Sequence, residues 1–197
     1  MNIKIQPMGA YQTNCYIVAI NGKDLIIDPG VGAASWVKKN LSNPIAILNT
    51  HGHFDHVWSN DEVAKEFNIP IYCPKDDCFM LQNDPFGQGT PKSNPSVKVA
   101  PDTTHKFEEI EVKFLHFPGH TPGCSVIQIG DAWFSGDFLF DGSIGRVDFP
   151  YSNPDQMKQS IHKALKIEKN FEVFPGHGGS TTLQKQKSSL KAWLNYI

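Results

Sequence analysis

The chain has 197 residues, 40% apolar and 19% charged, with a net charge of −2, which fits one large soluble domain able to bury a substantial core. Its Lys and Arg residues are scattered rather than striped, which excludes the basic footprint of a nucleic-acid binder. No early run joins basic residues to a long apolar stretch and a cleavage site, and none is long enough for a membrane span, so a cytoplasmic protein is expected.

In such a compartment Cys15, Cys73, Cys78 and Cys124 are expected to be reduced thiols. The Cys73-x4-Cys78 pair has no second Cys/His pair nearby that would complete a metal clip.

From residue 3 to 27 the pattern reads as strands. Residues 16–20 and 25–27 flank Asn21-Gly22, a hairpin signal. Asp28-Pro29-Gly30 ends the second of these strands. Asp28 is open to two readings: it caps a turn, or it is a carboxylate that orients a ligating imidazole through its free N–H. Residues 33–41 read as a helix with Trp36, Val37 and Leu41 on one face. The apolar run 45–48 reads as a buried strand.

Beyond residue 56, Ser59 and Glu62 offer a capping box for a helix through Phe67. Residues 69–73 read as a strand interrupted by Pro70, hence near an edge. Residues 84–101, rich in Pro, Gly, Ser and Asn, read as a long loop that is mobile or covers a site, with Phe86 the residue there expected to touch a ligand. Residues 107–117 and 125–134 supply three more strands. A helix from Asn153-Pro154 to about Lys166 turns Met157, Ile161, Ala164 and Leu165 inward. A last helix covers about 183–194. Strands and helices in this order give a layered α/β protein.

The chemistry gathers at Thr50-His51-Gly52-His53-Phe54-Asp55-His56. Three imidazoles and a carboxylate fall within six residues just after a strand, and these are the ligand types that Zn, Fe and Mn accept. Four donors in so short a segment cannot all face one ion. His51 and His53, at i and i+2, can share a face, while Asp55 and His56 turn towards a second ion. Gly52 is expected to leave room for the turn between them. Three later stretches each set a His or Asp among glycines after an apolar run: Pro118-Gly119-His120-Thr121-Pro122-Gly123, Ser135-Gly136-Asp137 and Pro175-Gly176-His177-Gly178-Gly179. His105, His116 and His162 lack that context.

His51-x-His53-x-Asp55-His56, with His120, Asp137 and His177 downstream, resembles the metallo-β-lactamase-fold hydrolases over nearly the whole chain. The resemblance implies a four-layer αββα sandwich as a single domain, residues 1–197. It also implies a two-metal site, with His51, His53 and His120 on one ion, Asp55, His56 and His177 on the other, and Asp137 bridging. Two divalent ions are then the cofactors, zinc foremost, with iron or manganese compatible. A metal-bridging hydroxide would attack a carbonyl, with Asp55 and Asp137 as the catalytic carboxylates. The family's similar Asp-Pro-Gly places Asp28 beneath the site.

A narrower resemblance lies in residues 134–149, which include Gly145-Arg146-Val147-Asp148, and in Thr13-Asn14-Cys15-Tyr16. Both are similar to the glyoxalase II group, especially its short bacterial members. Arg146 and Asp148 are read as bracing their loop. Full-length glyoxalase II carries a C-terminal helical domain that grips glutathione, whereas only 20 residues follow His177 here. Lys185, Lys187 and Lys191 are read as solvated charges.

The expected activity is hydrolysis of a small acyl thioester of the S-lactoylglutathione kind, with a small-molecule substrate as partner and neither nucleic acid nor membrane. One alternative is a mono-iron persulfide dioxygenase, whose Gly-His-Thr-x-Gly-Cys stretch Cys124 reproduces. Another is a non-catalytic metal-binding module.

Overall fold

The chain enters its first sheet through a meander whose turns follow from residue chemistry. In the computed structural model, which describes residues 1–197, β1 (Asn2–Met8), β2 (Thr13–Ile20) and β3 (Lys23–Ile27) pair antiparallel. Asn21 and Gly22 both take left-handed φ, 51° and 74°, as a two-residue turn between right-twisted strands requires. After β3 come α1 (Ala33–Asn40), β4 (Pro44–Leu48), α2 (Phe54–Val57), α3 (Asn60–Phe67), β5 (Ile71–Pro74), α4 (Cys78–Asn83) and β6 (Val97–Val99). β3, β4, β5 and β6 run parallel, and the sheet order is β1-β2-β3-β4-β5-β6. Val37 of α1 and Val63 of α3 pack with Cys15, Ile26, Ile47 and Ile71 in one buried cluster, with Trp36 and Leu41 half-buried against it. This settles the apolar face read for the first helix.

These elements form one compact unit, Met1–Val99, and Ala100–Ile197 form another. The second holds β7 (Thr103–Phe107), β8 (Ile110–His116), β9 (Ser125–Ile129), β10 (Ala132–Gly136), α5 (Pro154–Leu165), β11 (Glu172–Pro175), β12 (Thr181–Thr182) and α6 (Leu183–Trp193). Its sheet order is β12-β11-β10-β9-β8-β7, antiparallel except for the parallel β10–β11 pair. The Asn153 side chain accepts from the Gln156 N–H and so caps α5, with Pro at its first position. Met157, Ile161 and Ala164 point into a core with Phe117, Val126, Trp133, Leu183 and Leu190, and Leu165 packs at its margin. No helix is long and apolar enough to cross a membrane.

The structure corrects several readings. Ser59 does not cap α3; its hydroxyl donates to the Gly30 carbonyl at 2.7 Å. The chain already turns helically at α2 and Trp58, so it reaches α3 without the extended entry that a cap needs. Pro70 precedes β5 instead of interrupting it. β5 is flanked on both sides, because the segment read as a loop supplies the edge strand β6. The rest of that loop is tied down rather than loose, and its Phe86 packs edge-on against His53. The Asp84 carboxylate accepts from the backbone N–H of Gln88 and Gly89, at 3.2 and 2.8 Å, and from the Thr90 hydroxyl at 2.9 Å. β7 escaped notice because its residues are alternately half-buried and exposed, with little apolar content. Lys185 and Lys187 are engaged as well as solvated: they donate to Asp141 at 3.1 Å and to the Ile167 carbonyl at 2.6 Å.

Trp133 is fully buried and stacks on Phe171 at 4.8 Å between ring centroids. Trp133→Ala is expected to cost about 3–5 kcal/mol of unfolding free energy, measured by denaturant titration. A loss under about 1 kcal/mol would show that this core is not what holds the second unit together.

Candidate metal centre

In the first unit the parallel strands deliver the site from their C-terminal ends, the usual place for function in parallel sheets. Asp28 follows β3 directly, and His51 stands three residues beyond β4. Asp28 is buried and has φ 49°, a left-handed backbone that Asp tolerates better than most residues but that still marks stored strain. Its carboxylate accepts from the Thr50 N–H (2.8 Å), the Thr50 hydroxyl (2.6 Å) and His56 Nδ1 (2.9 Å).

A carboxylate can only accept, so His56 carries its proton on Nδ1 and its lone pair on Nε2. Thr50 gives its single hydroxyl proton to Asp28. The 3.0 Å contact between Thr50 Oγ1 and His51 Nδ1 is therefore a donation by the imidazole. His51 is left with its lone pair on Nε2 as well.

The remaining donors follow from one turn of helix. His53 stands at the N-terminal boundary of α2, its ring 4.8 Å from that of His51 and nearly perpendicular to it. Asp55 and His56 sit on α2, with His56 Nε2 3.6 Å from Asp55 Oδ2. The Thr13 hydroxyl donates to that same oxygen at 2.6 Å. Phe86 packs edge-on against His53 at 5.0 Å, and Tyr11 against Phe54 at 5.2 Å.

Gly52 is needed for a reason other than turn freedom. A Cβ there would lie 2.8 Å from the Asp77 carbonyl and 3.0 Å from Met80 Cβ. The fully buried Asp77 accepts from the Gly52 N–H at 2.9 Å and fixes the backbone between the two histidines.

The second unit repeats the principle with other partners. His120 lies four residues beyond β8, Asp137 directly after β10 and His177 two residues after β11. These three strands run in the same direction. His120 Nδ1 meets the Arg146 carbonyl at 2.8 Å; a carbonyl cannot donate, so again Nε2 holds the lone pair. His120 Nε2 and His177 Nε2 both approach Asp137 Oδ2, at 3.4 and 3.5 Å.

Arg146 serves the site through its carbonyl, while its guanidinium grips Asp148 in a two-pronged pair (2.9 and 2.7 Å) and lies 4.2 Å over the Phe149 ring. That hydrogen bond holds the exposed Asp148 carboxyl below its ordinary pKa. Gly145 sits so close to the donors that a Cβ would fall 1.9 Å from the Asp137 carbonyl oxygen and 3.0 Å from His120 Cγ. His105 packs on Phe114, His116 bonds the Pro122 carbonyl, and His162 faces solvent; none joins these donors.

The spacing of the donors fits a metal. Ligands bound tetrahedrally at about 2.0–2.2 Å stand about 3.3–3.6 Å from one another. The Nε2-to-carboxylate separations of 3.4, 3.5 and 3.6 Å fall in that range, and they are long for a direct hydrogen bond. The rear hydrogen bonds of His56 and His120, to a carboxylate and a backbone carbonyl, are those that ligating imidazoles make.

Sequence reading missed Asp77, because nothing in the spacing of Lys75-Asp76-Asp77 points at residue 52. It also gave Thr13 and Thr50 no role, although both lie in stretches it singled out.

The sequence model of the Metallo-beta-lactamase superfamily matches residues 8–177. A Haemophilus influenzae protein named hydroxyacylglutathione hydrolase GloC is 32% identical, with 96% of each chain covered. Among solved structures, BLEG-1, described as a B3 metallo-beta-lactamase, superposes with a TM-score of 0.87 at 30% identity, covering 95% of this chain and 97% of its own. TTHA1623, crystallised in a di-iron-bound form, superposes with a TM-score of 0.83 at 30% identity, covering 94% and 98%.

Zinc affinity measured by chelator competition is expected to fall about 10–100-fold in Asp28→Ala, which loosens an imidazole from behind. Asp137→Ala, which removes a donor, is expected to lose more. Equal and mild losses in the two variants would contradict the ligand role of Asp137.

Proposed function

We propose, for a chain that belongs to the metallo-beta-lactamase superfamily and carries its α/β fold, a binuclear metal-dependent hydrolase that cleaves small acyl thioesters of the S-lactoylglutathione kind. The observation that carries this reading is the relative named for hydroxyacylglutathione hydrolysis, aligned over 96% of both chains. That name belongs to a protein matched over nearly its whole length, so the reading does not depend on a separate glutathione-gripping domain.

In this reading His51, His53 and His120 would hold one ion, Asp55, His56 and His177 would hold the other, and Asp137 would be a ligand to both. The mixed imidazole and carboxylate set suits zinc, and iron equally well by ligand type; the di-iron form of one structural relative agrees. When bound, the metal would supply Lewis acidity towards a thioester carbonyl and lower the pKa of a bound water.

The chain's own work is orientation and proton handling. Asp28, Thr50 and the Arg146 carbonyl occupy the Nδ1 protons of His56, His51 and His120, so each Nε2 is held forward as a donor. Thr13 steadies Asp55. Asp55 and Asp137 are the carboxylates available to receive the proton of the attacking water. A thiolate is a good leaving group and departs without a general acid, so the chemistry asks nothing beyond these residues.

The test is a substrate panel on metal-replete protein: S-lactoylglutathione, thioesters of other small thiols, a β-lactam, and glutathione persulfide with oxygen uptake recorded. Thioester cleavage with release of free thiol and no oxygen uptake is expected. Oxygen consumption with the persulfide and no thioester cleavage would replace this reading with a dioxygenase. Turnover of the β-lactam alone would replace it with a lactamase.

A further inference from the structure

Resting on the metal reading above, we propose that the C-terminal helix α6 is a positioning element for the metal site, and that Gln186 is the residue through which it acts. Gln186 is buried, 2% exposed, although an uncharged amide gains little from burial unless every group finds a partner. All of its groups do. Nε2 donates to Asp141 Oδ1 and Thr181 Oγ1, each at 2.7 Å. Oε1 accepts from the Gly142 N–H at 2.7 Å and the Ser189 hydroxyl at 2.9 Å. Two further donors of the same helix reach the same two loop residues: Lys185 Nζ to Asp141 at 3.1 Å and Trp193 Nε1 to the Gly142 carbonyl at 3.2 Å. α6 therefore grips the loop at Asp141 and Gly142 from several sides at once.

What that loop does next gives the grip its meaning. Residues 139–146 close on themselves, with the Phe140 N–H donating to the Ser143 carbonyl and a bridge between Leu139 and Ile144. The loop then touches all three donors of the second unit. Phe140 lies edge-on to His177 at 5.9 Å, Gly145 packs against the Asp137 carbonyl and the His120 ring, and the Arg146 carbonyl holds His120 Nδ1 at 2.8 Å. A loop that sets the orientation of His120 needs an anchor of its own, because a shift well under 1 Å would misalign a ligand. Gln186 is that anchor. It stands 44 residues along the chain from Gly142 and touches no donor itself.

The test uses cobalt(II) as a visible stand-in for zinc and compares three variants of the full chain. Gln186→Leu removes all four hydrogen bonds. Trp193→Phe removes the indole N–H bond to Gly142, with some ring packing at the core's margin, and serves if the first fails to fold. Leu190→Ala opens the same helix's packing and removes none of these hydrogen bonds. Cobalt affinity is expected to fall about 10–100-fold in Gln186→Leu, the range typical of groups behind a ligand, with a changed visible spectrum. Trp193→Phe should change in the same direction by less. Leu190→Ala, read below its own Tm, should keep the wild-type affinity and spectrum.

Folded Gln186→Leu and Trp193→Phe proteins with wild-type cobalt affinity and spectrum would overturn the inference alone. So would the same spectral change in Leu190→Ala, which would make α6 a matter of stability only. A wild-type protein that takes up no cobalt would overturn the metal reading and this inference with it.

Discussion

A buried carboxylate must be surrounded by donors, and in the first unit that requirement organises everything near the histidines. Asp28 is nearly sealed from solvent, where an uncompensated negative charge would cost several kcal/mol. The donors that compensate it are the backbone and hydroxyl of Thr50 and the imidazole of His56. Satisfying Asp28 therefore fixes the residue before His51 and the ring of His56 in one act. Two parallel strands, β3 and β4, end side by side so that this contact can form. The strained φ of Asp28 is the conformational cost of turning the carboxylate under its neighbours.

The second unit orients His120 without a carboxylate behind the ring. His120 is held by a backbone carbonyl, so its orientation is only as firm as the loop bearing that carbonyl. Glycine at 145 lets the loop press against Asp137 and His120, and the helix α6 holds the loop from the other end. The first unit's donors thus depend on charged groups buried beneath them, the second unit's on a hydrogen-bond network that runs through the Asp141 carboxylate to the C-terminal helix. Each such bond contributes little, about 0.5–1.5 kcal/mol for a neutral one, so rigidity there comes from their number.

Much of this was legible in the sequence because it is local. Asn21-Gly22 specifies its turn, Asn153-Pro154 its helix start, and the apolar positions of α1 and α5 their inward faces. The donor residues stood out because all seven lie beside glycines or beside other donors near strand ends, where few structural reasons call for histidine. What escaped depends on distance along the chain. Asp77 reaches Gly52 across 25 residues and Gln186 reaches Gly142 across 44; neither pairing leaves a periodic or compositional trace. Ser59 misled for the opposite reason, since its local capping pattern was overridden by a tertiary bond to Gly30. The Asp84 loop misled in the same way, because a composition that usually means looseness here supplies a carboxylate and the N–H groups to satisfy it.

The proposed hydrolase asks this chain to hold a pair of metal ions. X-ray absorption on zinc-reconstituted protein, with the metal content of the same sample, tests it most directly. Two zinc ions per chain are expected, each with imidazole and carboxylate scatterers and a metal neighbour at about 3.5–4 Å. One ion per chain, or two ions with no metal scatterer within about 4 Å, would contradict a binuclear centre.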